Sequence, residues 1–167
     1  EFGALDAMEM RKVEEERYAW FAEASVIFLD LPDAVYRGYE GDDQLLGAVR
    51  VGDLPPYELL RSEILRLEPQ MVYFPLGVGG HVDHQLCRDV GVALLAEQRQ
   101  WVMPAPSFVG ALSFYEDFPY AWWRDFNGLG GEGSMELELP LGVELEPQYA
   151  DITDMLDRKA AGIRVYG

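Results

Sequence analysis

Apolar positions along this chain fall into short runs parted by charged or glycine-rich stretches, and their spacing predicts most of the regular elements. Residues 6–24, DAMEMRKVEEERYAWFAEA, carry Met8, Val13, Trp20 and Phe21 among many charges, which is the pattern of a surface helix. SVIFLDLP (25–32) is a continuous, partly β-branched apolar run closed by Pro32 and predicts a buried parallel strand. Residues 33–53 are polar and rich in Gly and Asp, and read as a connecting excursion. Asp53 is placed to cap a helix over PPYELLRSEILRLEP, with Pro55 or Pro56 in its first turn, Leu59, Leu60, Ile64 and Leu67 as its apolar stripe, and a stop at Pro69. QMVYFP (70–75) predicts the next buried strand, followed by a glycine-rich turn and a helix from about His81 to Gln98. WVMP (101–104) and ALSFY (111–115) predict two more strands.

Strands that alternate with helices, and that are apolar without a period of two, indicate an α/β sheet covered on both faces. The expected architecture is therefore α/β, three-layered and mostly parallel, in a single domain over residues 1–167. Ligand crevices of such sheets lie beyond the carboxyl ends of the strands, where the glycine-rich turn falls. The second half is less regular. PYAWWRDFNGLGGEG (119–133) has the make-up of a mobile lid with an aromatic contact surface, or of a buried aromatic wedge beside a loose loop. MELELPLGVELEP (135–147) alternates at first like a β ribbon, and the tail from Ala150 begins a helix.

Charge narrows the functional classes. Thirteen basic against thirty acidic residues leave a formal net charge of −17. That surface repels phosphate backbones and anionic lipid, so nucleic acid and membrane are not expected partners, and cations are favoured. The single cysteine, Cys87, precludes an internal disulfide and a Cys-rich zinc site, and it suits a reducing, cytoplasmic compartment. No apolar run is long enough to span a bilayer, and residues 1–20 have no signal-peptide pattern.

The chain has two histidines, and PLGVGGHVDHQLCRD (75–89) holds both, around one carboxylate. On a helix His81 and His84 share a face and can enter one site, with Asp83 between them placed to orient an imidazole. The competing reading makes His81 or Asp83 a helix cap and His84 a packed core residue. Composition alone leaves both open. In YEDFPY, Glu116 and Asp117 stand at a strand end, where they can meet substrate hydroxyls, complete a metal site, or cap the next turn. Asp33 and Arg37 of LPDAVYRG offer a polar anchor for a substrate, or a structural ion pair. Arg11 and Glu14 suit a solvated i,i+3 pair, and Cys87 suits the core. GVGG lacks both the GxGxxG spacing and the lysine of a nucleotide loop.

PLGVGGHVDHQLCRD resembles the HxDH segment of the PIG-L/LmbE-like zinc-dependent N-deacetylases. RKVEEERYAWFAEASVIFLDLPDAVYRG (11–38), FYEDFPYA (114–121) and the tail with Lys159 and Tyr166 are similar to stretches of that family in the same order. The resemblance implies an LmbE-like, Rossmann-resembling fold and removal of an N-acyl group, most simply acetyl, from an amino sugar or similar small molecule. It implies Zn2+ held by His84, an oxyanion stabilised by His81, and Asp83 tuning and orienting that histidine. It makes LPDAVYRG, with Arg37, a landmark near the pocket, beside the strand-end carboxylates Glu116 and Asp117; a homo-oligomer is allowed. The family's His-Pro-Asp-Asp-Glu-like motif has no counterpart before RKVEEERYAW. The expectation is thus a domain without its first strand and helix, partial at both ends and inactive by itself. A non-catalytic binding or scaffold domain is the alternative. A third reading is a different hydrolase with Glu116 and Asp117 as metal ligands.

Overall fold

The computed structural model describes residues 4–99, 110–118 and 144–166 of the chain. The helices are α1 (Ala4–Ala22), α2 (Asp42–Leu45), α3 (Tyr57–Leu67), α4 (Val82–Arg99) and α5 (Leu156–Ile163). The strands are β1 (Met71–Pro75) and β2 (Ala111–Tyr115), with 3-10 turns at Ala34–Arg37 and Thr153–Met155. The chain divides into two compact units, residues 31–144 in one and residues 1–30 with 145–167 in the other.

In the larger unit β1 and β2 run parallel, from Met71 opposite Ala111 to Pro75 opposite Tyr115, with α4 between them in sequence. This is a βαβ arrangement and the protein is α/β, as the alternation of elements predicts. Along α4, Val82, Leu86, Val90 and Leu94 recur every four residues and are all buried. Val90 and Leu94 pack with Ile64 of α3 and Phe74 of β1, flanked by Leu60, Val72, Leu112 and Phe114. Gly91 is where helix and strands come closest: a Cβ there would stand 2.8 Å from the Phe74 ring and 2.9 Å from that of Phe114. Val82, at the helix start, joins a second cluster with Ala34 and Tyr39.

Several expectations change in the folded chain. Residues 25–32 form no strand: residues 24–33 have no regular structure, and Val26, Ile27 and Leu31 are exposed. An extended run becomes a strand only by pairing, and Asp30 interrupts this one with a left-handed backbone, φ 52°, while its carboxylate is held by Lys12 at 2.8 Å. In β1, Phe74 is buried but Met71 and Tyr73 are exposed, so among the described residues helices cover one face of the strand pair. Apolar character did not report burial here because a strand turns alternate side chains to opposite faces. Asp53 does not cap α3, since its carboxylate accepts hydrogen bonds from Arg37 and Tyr39. The helix begins at Tyr57 after Pro56 and ends on Glu68 in the left-handed conformation, one residue before Pro69. WVMP, residues 119–133 and the alternating part of 135–147 lie outside the described residues.

In the smaller unit α1 packs against α5, and Tyr18 of α1 meets Tyr166, just past α5, with 5.4 Å between ring centroids. Gly162 is buried where a Cβ would meet Tyr18 at 2.9 Å. The Tyr166 hydroxyl donates to Glu15 at 3.1 Å, and Arg158 pairs with Glu23 at 3.3 Å.

Candidate active site

Both parallel strands end at one place. The Leu76 N–H donates to the Tyr115 carbonyl at 2.7 Å, which carries the pairing one residue past the strands. The chain then turns through Gly77–Gly80, closed by the Gly80 N–H on the Gly77 carbonyl at 3.0 Å. Gly80 has φ 78°, and a Cβ there would lie 2.7 Å from the Leu46 carbonyl oxygen, so the turn demands glycine. Gln85 holds the turn against the helix that follows by donating to the carbonyls of Gly47 at 2.7 Å and Gly80 at 2.5 Å.

His81 occupies the position before α4. Its Nδ1 accepts the backbone N–H of Asp83 at 3.3 Å, a side-chain cap on the first helical turn. The capping alternative is therefore realised, and it has a chemical consequence. With Nδ1 accepting, the neutral ring carries its proton on Nε2. Burial, and then the neighbouring His84, hold the His81 pKa below the ordinary imidazole range, against the opposing pull of Asp83, Asp33 and Asp117. The ring favours its neutral form.

His84 sits one turn further on, its ring centroid 4.9 Å from that of His81 at a 41° tilt. It is not a packed core residue, because its side chain keeps 31% of its exposure. Its Nδ1 lies 2.6 Å from Oδ2 of Asp117, which is 2% exposed and whose Oδ1 accepts the Gly77 N–H at 2.9 Å. A carboxylate accepts, so Nδ1 is the nitrogen of His84 that donates to Asp117. A buried carboxylate that fixes an imidazole in this way is the usual partner of a metal-ligating histidine.

Asp83 and Arg37 differ from expectation. The Asp83 carboxylate accepts from Arg37 at 2.6 Å and from the Ala34 N–H at 3.2 Å, so His81 is oriented by the backbone of Asp83 and not by its carboxylate. Arg37 also donates to Asp53 at 3.0 Å and to the Pro32 carbonyl at 2.6 Å. These bonds place it in ion pairs with Asp53 and Asp83, the structural one of its two readings. Asp117 has both oxygens engaged and is buried, whereas Glu116 is exposed at the end of β2. Burial pushes the Cys87 thiol up, with Asp83 adding to it, which fits a packing role. Sequence reasoning missed Asp53, Tyr39 and Gln85, which brace the site through bonds 11 to 38 residues apart in the chain.

A catalytic zinc takes three protein ligands and leaves one position open. His84 fits one of those positions. No group of three or more His, Cys, Asp or Glu able to hold a metal occurs among the described residues, so the set as a whole does not fit.

The chain is similar to a deacetylase. It is 31% identical over 170 residues to the 2'-N-acetylparomamine deacetylase of Streptomyces fradiae, a match that takes in 99% of this chain and 55% of that protein. The chain thus spans about half the length of the curated relative it matches. No family model matches the chain, and no solved structure matches it.

Proposed function

We propose that the protein is an amide hydrolase of the PIG-L/LmbE type that removes an acetyl group from an N-acetylated amino sugar or similar small molecule. The observation that carries this reading is the opposite polarity of the two imidazoles. At one, Nδ1 accepts a backbone N–H, which suits a ring that donates from Nε2; at the other, Nδ1 meets buried Asp117, which suits a ring that ligates through Nε2. Amide hydrolysis needs a donor aimed at the oxygen that becomes negative, and His81 supplies an uncharged one. Zinc is the proposed cofactor, with His84 as one ligand and Asp117 holding the ring. No group of three such ligands occurs among the described residues, and the proposal gives this chain's own groups only binding, orientation and oxyanion donation. The similarity to a 2'-N-acetylparomamine deacetylase supports the acetyl group and the amino-sugar class.

The test is acetate release from 2'-N-acetylparomamine and N-acetylglucosamine derivatives by the natural gene product, with and without zinc, and turnover that depends on zinc is expected. A gene product that releases no acetate from any of these compounds would overturn the reading.

A further inference from the structure

The glycine turn and the first turn of α4 meet in Gln85, a half-buried residue to which amide hydrolysis assigns no chemistry. Its backbone N–H donates to the His81 carbonyl at 3.0 Å. Its side-chain amide reaches the carbonyl on the other side of the same histidine, that of Gly80, at 2.5 Å. The same amide nitrogen donates to the Gly47 carbonyl at 2.7 Å. A glutamine amide has two N–H donors, one for each of these carbonyls. The turn also packs on the Gln85 main chain, since a Cβ on Gly77 would stand 3.6 Å from its nitrogen. Gly47 belongs to a segment that is itself closed, because Arg50 donates to the Gln44 side chain at 2.5 Å. Gln85 is therefore anchored outside the turn that it holds.

The angles φ and ψ of a residue are the rotations of the two rigid peptide planes that flank its Cα. For His81 one plane carries the Gly80 carbonyl and the other carries its own carbonyl, and Gln85 bonds to both. We infer that Gln85 is a positioning residue for His81: with its backbone N–H on one flanking carbonyl and its side-chain amide on the other, it fixes the backbone angles of His81 and so the direction in which that side chain leaves the turn. The consequence for amide hydrolysis rests on the deacetylase reading, in which His81 is the oxyanion donor and a displacement of about 1 Å can cost ~10²-fold in rate. The backbone angle does not rest on that reading, and it is measured without turnover.

Gln85→Met keeps a side chain of similar length and removes both donors, whereas Gln85→Lys returns donors on a flexible stem. The three-bond coupling between the amide and α protons of His81 follows φ. In the natural gene product labelled with 15N-histidine, the signal lost in His81→Ala identifies this residue. The coupling is expected to leave its wild-type value in Gln85→Met and to return toward it in Gln85→Lys. With the acetylated amino sugars that test the deacetylase reading, Gln85→Met should lower kcat roughly 10–100-fold while KM stays within about a factor of three. Gln85→Lys should recover most of that loss. A folded Gln85→Met whose coupling matches wild type overturns the inference, as does a lysine variant no nearer to wild type than the methionine one. A loss confined to KM also overturns it, since a misdirected oxyanion donor acts on the transition state. If Gln85→Met does not fold, Gln85→Asn carries the test. Its amide falls one bond short of the two carbonyls, so the coupling must again differ from wild type, and an unchanged one overturns the inference. If the wild-type gene product releases no acetate, the deacetylase reading fails, and the coupling decides the part of Gln85 in the same two directions.

Discussion

His81 and His84 lie one turn apart, yet a backbone N–H meets Nδ1 of the first and a buried carboxylate meets Nδ1 of the second. Substitution should therefore separate them. In the natural gene product, His84→Ala is expected to lose bound zinc, and unchanged metal content on elemental analysis would remove it from the ligand set. His81→Ala should retain the metal while kcat falls roughly 10²–10³-fold, the scale of one oxyanion donor; loss of metal with activity would mean the two roles are exchanged. Asp117→Asn removes the carboxylate behind His84 without emptying the site, and zinc affinity should drop about 10–100-fold. A competition titration against a chelator reads that change, and an affinity equal to wild type would deny Asp117 its orienting part. The histidine spacing and the acidic strand end were legible in the residues. The identity of each partner was not, because Asp117 is 33 residues from His84 and Asp53 is 16 from Arg37.

At the scale of elements, α4 is tied to α3 by a polar clamp and to the strands by close packing. Glu97 of α4 takes a forked pair of bonds from Arg61, the shortest 2.6 Å, and another from the Tyr57 hydroxyl at 2.6 Å. Arg61 chiefly, and Tyr57 after burial's opposing push, hold the Glu97 carboxyl below its ordinary range, while burial and then Glu97 push the Tyr57 hydroxyl up to about 12. A carboxylate whose folded pKa is depressed stabilises above its unfolded pKa, here 4.5, and that stability is lost as pH falls through the lower folded value. Glu97→Gln should thus cost about 1–2 kcal/mol at neutral pH, and its deficit should shrink below about pH 4.5. Urea denaturation of both proteins across that range checks it, and a deficit independent of pH would show that charge is not what the clamp uses. Gly91→Ala is a second test. An alanine in an exposed helix interior would gain up to about 1 kcal/mol, but this Cβ meets two phenylalanine rings under 3 Å. The expected result is a loss of about 1–3 kcal/mol by overpacking, and a stabilised variant would show that the strands yield.

Over the whole molecule, the excess of acidic residues acts on the folded chain. A net charge of −17 on 167 residues repels itself in the compact state. Salt shortens the Debye length from about 30 Å at 0.01 M to about 8 Å at 0.15 M, so the melting temperature should rise between those concentrations of sodium chloride. A fall would mean that attractive pairs such as Arg61–Glu97 and Arg37–Asp83 outweigh the general repulsion. No helix among the described residues is long and apolar enough to cross a membrane.

What the sequence determined by itself are the features carried by short-range pattern: the helix that becomes α4, the glycine turn after β1, the strand ALSFY, and two histidines one turn apart. Each depends on residues a few positions from one another, so local spacing suffices to read it. Tertiary structure decided the rest. It left SVIFLDLP unpaired, because a strand exists only beside another strand and Asp30 turns the backbone aside. It gave Asp53 to Arg37 and Tyr39 in place of the cap on α3. It also set the partners of the two imidazoles, since only the folded chain brings Asp117 to His84 and Arg37 to the Asp83 carboxylate.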